Sequence, residues 1–461
     1  MLDKSDTIVA CCTPITGSGA LAVIRISGPR ALSYTEQIFR LASKQKLADQ
    51  PSHTVHYGYI VAQNGATIDH VMCTVLHAPR TFTGEETVEI SCHHNPLIIE
   101  SIIRCIITAG ARMAQRGEFT RQAIANNKID LLQAEAINEL IHAQTEQGVN
   151  AALSQIAGSM SAAITNIERE LVTIMAWCEA SFEFTDEVTV FHQALVERIT
   201  DVHNNIIQLL QTAQRQGAVR EGIRVVLAGP VNAGKSSLFN LLVRDDRAIV
   251  TPRAGTTRDT IEARRSMHGI SWTFVDTAGL RSTEDDIEQV GIQRSWRMLE
   301  QSDIILFVAD CSRMLSDEEN QYLATIHTTH QQRLVIVEHK SDLPNYLSTT
   351  IAAPNHTVRC SVSSHNKTGI EELEQLLYHT AQKLLSQHNM PFLINQRHTA
   401  LLTTVESLLD DIMRSCRQKE PHYELISAQI QQTLECLTEL TGKSVREAAL
   451  DKVFQEFCVG K

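Results

Sequence analysis

The sequence contains no Cys-x-x-Cys pair, no unbroken apolar run long enough to cross a bilayer, and no surplus of positive charge. Each absence removes a class of protein. The 11 cysteines are odd in number and scattered, which excludes a disulfide-built secreted scaffold and points to reduced thiols in the cytoplasm. The opening MLDKSD is polar and acidic, so no secretory leader is expected there. The most apolar stretch, PLIIESIIRCIITAG, is broken by Glu100 and Arg104, so no membrane association is expected. A net charge of −12 leaves no broad cationic surface for phosphates. Composition therefore leans against a nucleic-acid partner, with a local basic patch still open.

What remains is an ordinary globular chain. Its 461 residues, 43% hydrophobic and 20% charged, suit about three domains. Adjacent Cys11 and Cys12 read as buried, inert thiols rather than a redox pair. Cys92, His93 and His94 offer metal-ligand side chains, but no second cluster stands at zinc spacing, so no metal is expected on them.

The first hundred residues alternate short runs rich in Val, Ile, Thr and Tyr with turn residues: LAVIRIS, TVHYGYIVA, HVMCTVL and ETVEISC. These read as strands. Asn64-Gly65 between two of them predicts a type I′ hairpin, with positive φ at both positions. Residues 96–110 predict a helix opened by Pro96 and closed by Gly110. From about 120 to 217 the spacing turns helical. One stripe runs through Ile164, Ile167, Leu171, Ile174, Met175 and Cys178, and another through Leu195, Ile199, Val202, Ile206 and Leu209. The same spacing returns in Leu401, Val405, Leu408, Ile412 and Cys416, then in Ile426, Ile430 and Leu437. All are expected to be core faces. Between these blocks, IRVVLAG, SWTFVDT, DIILFVAD and RLVIVEH each precede a loop and a helical segment, which predicts βαβ units around a mainly parallel sheet inserted into a helical domain.

GPVNAGKS, residues 229–236, matches G-x-x-x-x-G-K-[ST] between a strand and a helix. Such a loop turns backbone N–H groups toward phosphates; Lys235 reaches the β and γ oxygens, and the Ser236 hydroxyl suits magnesium. DTAG, Asp276 to Gly279, ends the next strand; Asp276 can hold the magnesium shell, and Gly279 can donate its N–H to a γ-phosphate. TPRAGTTRD, residues 251–259, reads as a switch loop in which Thr257 completes the magnesium shell.

Two expected residues are missing. Many GTPases place a water-orienting Gln directly after DTAG, where this chain has Leu280. The acidic run Glu284, Asp285, Asp286 and Glu288 supplies the candidates for that work. Guanine is often read by Asn-Lys-x-Asp, whereas VIVEHKSDLP carries His339 first, then Lys340 and Asp342. Asp342 can still accept from the guanine N1–H and amino group, Lys340 can pack along base and ribose, and Ser361-Val362-Ser363 follows as a companion loop. GTP is therefore expected over ATP, with affinity weakened at His339 and tightened by His339→Asn.

These segments resemble one family, the tRNA modification GTPase MnmE (TrmE) family. The resemblance runs from DTIVACCTPITGSGALAVIRISG through FTGEETVEISCH, RGEFTRQAIANNKIDLLQAEAI, GPVNAGKSS, AGTTRD and DTAGLR to the final CVGK. It implies a multidomain chain of α/β and α+β class: an N-terminal α+β folate-binding and dimerisation domain at 1–120, a helical domain split into 121–218 and 383–461, and a Ras-like P-loop GTPase domain at 219–382. It implies a homodimer that works with the flavoprotein MnmG (GidA), which carries FAD, in a heterotetrameric complex. Together they would add aminomethyl or carboxymethylaminomethyl groups to the wobble uridine of certain tRNAs.

By position, the resemblance gives Asn232, Thr251, Arg253 and Thr256 as potassium ligands and Glu288 as the water-orienting residue. The nucleotide site would comprise Asn232 to Ser237 (Asn232, Ala233, Gly234, Lys235, Ser236, Ser237), Thr251, Pro252, Arg253, Ala254, Gly255, Thr256 and Thr257, then Asp276, Thr277, Ala278 and Gly279, with His339, Lys340, Asp342 and Ser361 at the base. Magnesium would rest on Ser236 and Thr257. A formyl or methylene tetrahydrofolate would draw on Arg25, Glu89, Lys128 and Lys461, with Cys458 beside it. The competing function is a regulatory GTPase switch in ribosome assembly or signalling. An RNA-binding GXXG loop would favour that alternative, and the sequence has none. A dead nucleotide scaffold would lack Lys235, Ser236 or Asp276, and all three are present.

Overall fold

A computed structural model describes residues 6–14, 19–41, 45–180, 188–243, 261–276, 296–330, 333–344, 358–386, 391–418, 421–444, 453–455, 457 and 459–460. The chain divides into two compact units, each assembled from separated segments. The first comprises 1–138, 155–206 and 400–461; the second comprises 139–154 and 207–399.

In the first unit a seven-stranded sheet has the order β3-β4-β5-β6-β2-β1-β7. The strands are β1 (Ile8–Cys11), β2 (Leu21–Ser27), β3 (Phe39–Leu41), β4 (Thr54–Val61), β5 (Thr67–Leu76), β6 (Thr87–His93) and β7 (Arg112–Met113). All neighbours run antiparallel except β1 and β7. Helix Pro96–Ala109 starts where Asn95 accepts a hydrogen bond from the Leu97 N–H at 2.9 Å and stops at Gly110. Its Ile99, Ile102 and Ile106 pack with Ile24, Ile26, Val88 and Ile90 on one face of the sheet; on the other, Ile8 and Ala10 of β1 are covered by Ala114 and Phe119, while β4 and β5 expose Val55, Tyr57, Tyr59 and Met72.

The β4–β5 hairpin forms, but not with the predicted type I′ turn. Gly65 alone of the central pair takes positive φ (82°). The Gly65 N–H donates to the Ala62 carbonyl, the Ala62 N–H donates to Ala66, and Asn64 Oδ1 accepts from the Ala66 N–H at 3.0 Å. That is a type I turn closed by a left-handed glycine, the pattern of a longer hairpin loop. Asn64 caps the strand from an ordinary backbone conformation.

Helices Ser159–Ala180, Val188–Arg215, Gln396–Cys416 and Tyr423–Thr441 carry the remaining stripes. Ile164, Leu171, Ile174, Leu195, Ile206, Ile426, Ile430 and Leu437 are each fully buried, whereas Met175 is half-buried. The third stripe is rotated by one position: Leu402 and Leu409 are buried with Val405, Ile412 and Cys416, while Leu401 and Leu408 are half-buried. Within this unit, helices from either side of the inserted α/β segment meet, with Lys443 Nζ 2.6 Å from Glu168 Oε2. Among the described residues no helix is long and apolar enough to cross a membrane.

The second unit holds a six-stranded sheet of order β13-β12-β11-β8-β10-β9. Its strands are β8 (Ile223–Ala228), β9 (Ile261–Met267), β10 (Ile270–Asp276), β11 (Ile304–Asp310), β12 (Leu334–His339) and β13 (Val358–Val362). Only β9 runs antiparallel to its neighbour. Alternate residues enter two cores: Val225, Leu227, Leu306 and Val308 on one face, and Val226, Ala228, Ile305 and Phe307 on the other. Burial on both faces is why these strands read as continuous apolar runs.

Candidate functional site

In a doubly covered parallel sheet, chemistry gathers outside the carboxyl ends of the strands. β8, β10, β11 and β12 end in Ala228, Asp276, Asp310 and His339, and the last three are buried polar residues.

After β8 the chain makes a tight loop before helix Lys235–Val243. A Cβ at Gly229 would sit 2.2 Å from the Val308 carbonyl oxygen, so only glycine lets the loop leave β8 alongside β11. Asn232 takes the left-handed conformation (φ 62°) and is exposed. Lys235 is 8% exposed, and its Nζ donates to the carbonyls of Gly229 at 2.9 Å and Pro230 at 2.6 Å. The ammonium thus lies within the curl of the loop, beside the helix N-terminus that favours an anion. Ser236 Oγ donates to Asp276 Oδ2 at 2.7 Å. A hydroxyl and a carboxylate already in contact, at the mouth of a phosphate loop, are the hard oxygen donors that magnesium takes.

The loop predicted to read the base follows β12. Lys340 has φ 63°, and its Nζ lies 2.5 Å from Asp310 Oδ2. Burial pushes the Asp310 carboxyl up, but Lys340 and Ser312 outweigh it and hold it below the usual range. Asp342 accepts from Ser363 Oγ at 2.5 Å, and that hydroxyl holds its pKa down. Ser361 lies elsewhere: its hydroxyl donates to Glu338 Oε2 at 3.0 Å on β13. Ser363 and Ser364, with the Val362 carbonyl that accepts from the Ser341 N–H at 3.2 Å, are therefore contacts to the end of β12 and the loop after it.

His339 is 3% exposed, and its Nε2 is 2.6 Å from Ser364 Oγ. Burial is the main reason its pKa falls below the ordinary value, opposed by the Ala233 backbone. A histidine depressed in the folded state leaves the unfolded chain to take up the proton first, so stability is lost as pH falls below about 6.5. Acidifying the nucleotide-free protein from about pH 7.5 to about pH 5.5 should lower its Tm more than that of the His339→Asn variant. Equal falls by differential scanning fluorimetry would contradict the burial of a neutral imidazole.

A second group of predicted residues meets in the first unit. Arg25 and Glu89 are cross-strand partners on β2 and β6, with Nε 2.8 Å from Oε1. The guanidinium lies 5.8 Å from the Phe82 ring centre and 5.6 Å from that of Phe119. Lys128 Nζ donates to the Pro79 carbonyl at 2.9 Å, and Asn126 Nδ2 to that of Thr83 at 2.8 Å, fastening the segment that carries Phe82. Cys12 donates to the Gly460 carbonyl at 3.0 Å; burial pushes its thiol up, so it is not an activated nucleophile.

Cys92, His93 and His94 diverge. Cys92 is in the core, His93 Nδ1 is 2.8 Å from Asp69, and His94 Nε2 is 2.7 Å from the Pro14 carbonyl. Residues 251–259, Thr277 to Leu280, the acidic run 284–288, Cys458 and Lys461 lie outside the described residues.

Sequence reasoning missed Asp310, Ser364, Phe82, Phe119 and Cys12 as neighbours of these groups. Asp310 carried a partial signal, a carboxylate at the carboxyl end of the apolar run DIILFVAD; its pairing with His339 is visible only in the sheet.

A family model described as the MnmE helical domain matches residues 131–458, and one described as the GTP-binding protein TrmE N-terminus matches residues 7–128. The tRNA modification GTPase MnmE of Bacillus pumilus is 36% identical over 467 residues, covering 99% of this chain and 100% of that protein. Its counterpart from Bacillus subtilis is 35% identical over 465 residues, again covering 99% of this chain and 100% of that protein. Among solved structures, the G domain of the T. maritima FeoB iron transporter is 24% identical, with a TM-score of 0.28, covering 35% of this chain and 99% of that one. Aquifex aeolicus Era bound to GDP and AlF4⁻ is 20% identical, with a TM-score of 0.27, covering 43% of this chain and 69% of that one.

Proposed function

The chain belongs to the MnmE family of tRNA modification GTPases, and from that premise we propose that it hydrolyses GTP to drive modification of the wobble uridine of certain tRNAs. The observation that carries this reading is the convergence of Lys235, the Ser236–Asp276 pair and the Asp342–Ser363 pair in one sheet-based unit. Lys235 binds the β and γ phosphate oxygens, exchanging neutral carbonyls for charged acceptors. Ser236 and Thr257, with Asp276 behind, would hold magnesium, which would neutralise charge on those oxygens. Asn232, Thr251, Arg253 and Thr256 would hold potassium, which would stabilise charge developing in the transition state, and Glu288 would orient the water that Leu280 cannot. The left-handed Asn232 supports this use, because its side chain is exposed at the surface of the loop.

GTP hydrolysis should be about tenfold or more faster in potassium than in sodium at saturating nucleotide. Equal steady-state rates of phosphate release would remove the cation from the mechanism.

Arg25, Glu89 and Lys128 of the first unit, with Lys461, would hold a tetrahydrofolate, which would supply the one-carbon unit. The fit is chemical: a carboxylate suits the pterin edge, cations suit the glutamyl tail, and Phe82 and Phe119 offer apolar ring faces. The protein works in the cytoplasm as a homodimer with MnmG, which brings FAD. Val55, Tyr57, Tyr59 and Met72, exposed together on one face of β4 and β5, are the kind of apolar patch that pairing of two copies would cover.

A further inference from the structure

Both ring nitrogens of His339 face protein rather than solvent. Nε2 is taken by Ser364 Oγ at 2.6 Å. Nδ1 is buried with no partner in hydrogen-bonding geometry, packed so closely on the phosphate loop that a Cβ at Gly234 would lie 2.2 Å from it. The imidazole is thus wedged between the serine after β13 and the loop that holds phosphates. Gly234 has φ 99° and no side chain, which makes room for the ring.

A neutral histidine has a single N–H. On Nε2 it is given to Ser364; on Nδ1 it faces the backbone of Ala233 and Gly234. Guanine presents two acceptors, N7 and O6, on the edge away from Asp342. In neither tautomer does His339 offer a donor to N7. The other edge is served: Asp342 keeps its carboxylate ionised and held by Ser363.

We propose that His339 clamps the base-reading loop to the phosphate loop and leaves guanine N7 unread, so that the site accepts guanine nucleotides altered at N7 as readily as GDP and GTP. This rests on the guanine-site reading above. It makes His339 a positioning residue and moves base discrimination onto Asp342.

The test is competition of GDP, 7-deaza-GDP and IDP against a fluorescent GDP analogue on the full chain with magnesium. The affinities for GDP and 7-deaza-GDP should agree within about twofold. His339→Asn restores an amide donor and should open that ratio to about fivefold in favour of GDP, the worth of one neutral hydrogen bond. Ser364→Ala frees the clamp and should weaken both ligands by the same factor. IDP, lacking the amino group Asp342 accepts from, should bind worse than either. A fivefold preference for GDP in the unaltered chain overturns the proposal. So does a ratio near one in His339→Asn, because position 339 would then not face N7. So does a Ser364→Ala loss confined to GDP. If GDP itself fails to compete, the guanine-site reading falls, and the clamp with it.

Discussion

Replacing Lys235 by alanine should cut nucleotide affinity and GTP turnover by about a hundredfold or more. The Lys235 ammonium is 8% exposed and bonded to the Gly229 and Pro230 carbonyls. Neutral carbonyls are weaker partners than phosphate oxygens, so nucleotide binding exchanges modest hydrogen bonds for charged ones. A hydrogen bond to a charged group contributes about 1.5–3 kcal/mol, and the loss of two corresponds to the expected factor. Lys235→Arg is expected to fail as well, because a planar guanidinium does not fill a space shaped for a compact ammonium. Nucleotide titration beside a thermal melt separates lost binding from lost folding. A loss below about tenfold in a folded variant would mean that Lys235 braces the loop and does not grip phosphate.

Asp342→Asn should weaken GDP by about tenfold to a hundredfold and favour xanthosine nucleotides instead. Guanine offers two donors on its N1 and amino edge, and an ionised carboxylate accepts both. The Ser363 hydroxyl at 2.5 Å already fixes one oxygen of Asp342 and lowers its pKa, so the carboxylate is aimed and charged before ligand arrives. An asparagine has one acceptor and one donor, which suits the C2 carbonyl of xanthine. Asp342 is itself exposed, and the buried Ser363 hydroxyl can still donate to the amide oxygen of the variant, so the fold should survive the substitution. Unchanged GDP affinity, or no gain for XDP in the same assay, would move guanine recognition elsewhere. With N7 unread by His339, this one carboxylate should account for most of the base selectivity.

How much of this could be read in advance depended on the range of the interaction. The phosphate loop is a local device, and Gly229 to Ser236 spells it completely because each residue acts on the backbone beside it. Helix Pro96–Ala109 was equally legible, since Asn95, Pro96 and Gly110 all act within one turn of its ends. The helical stripes were legible to within one position; Leu402 and Leu409 replace Leu401 and Leu408 because 3.6-residue spacing leaves the exact facing residue to the neighbouring helix. Asn64-Gly65 announced the hairpin, but the side chain of Asn64 bonded to Ala66 and selected a different turn.

The companions of the site were not legible. Asp310 meets Lys340, and Ser364 meets His339, only because the sheet places β11, β12 and β13 side by side. Ser361 illustrates the same limit. One alternation along the strand separates it from Ser363, yet its hydroxyl serves Glu338 and not Asp342. The net charge of −12 gave no hint of a tRNA substrate, since a total says nothing of where charges lie.

The most direct measurement is mass spectrometry of nucleosides from tRNA of cells lacking this protein, compared with cells carrying it and with cells carrying Lys235→Ala. Loss of the aminomethyl-derived wobble uridines in the first and third, with recovery only in the second, is the expected result. Full modification in the absence of the protein would contradict its role in tRNA modification, whatever its GTPase rate.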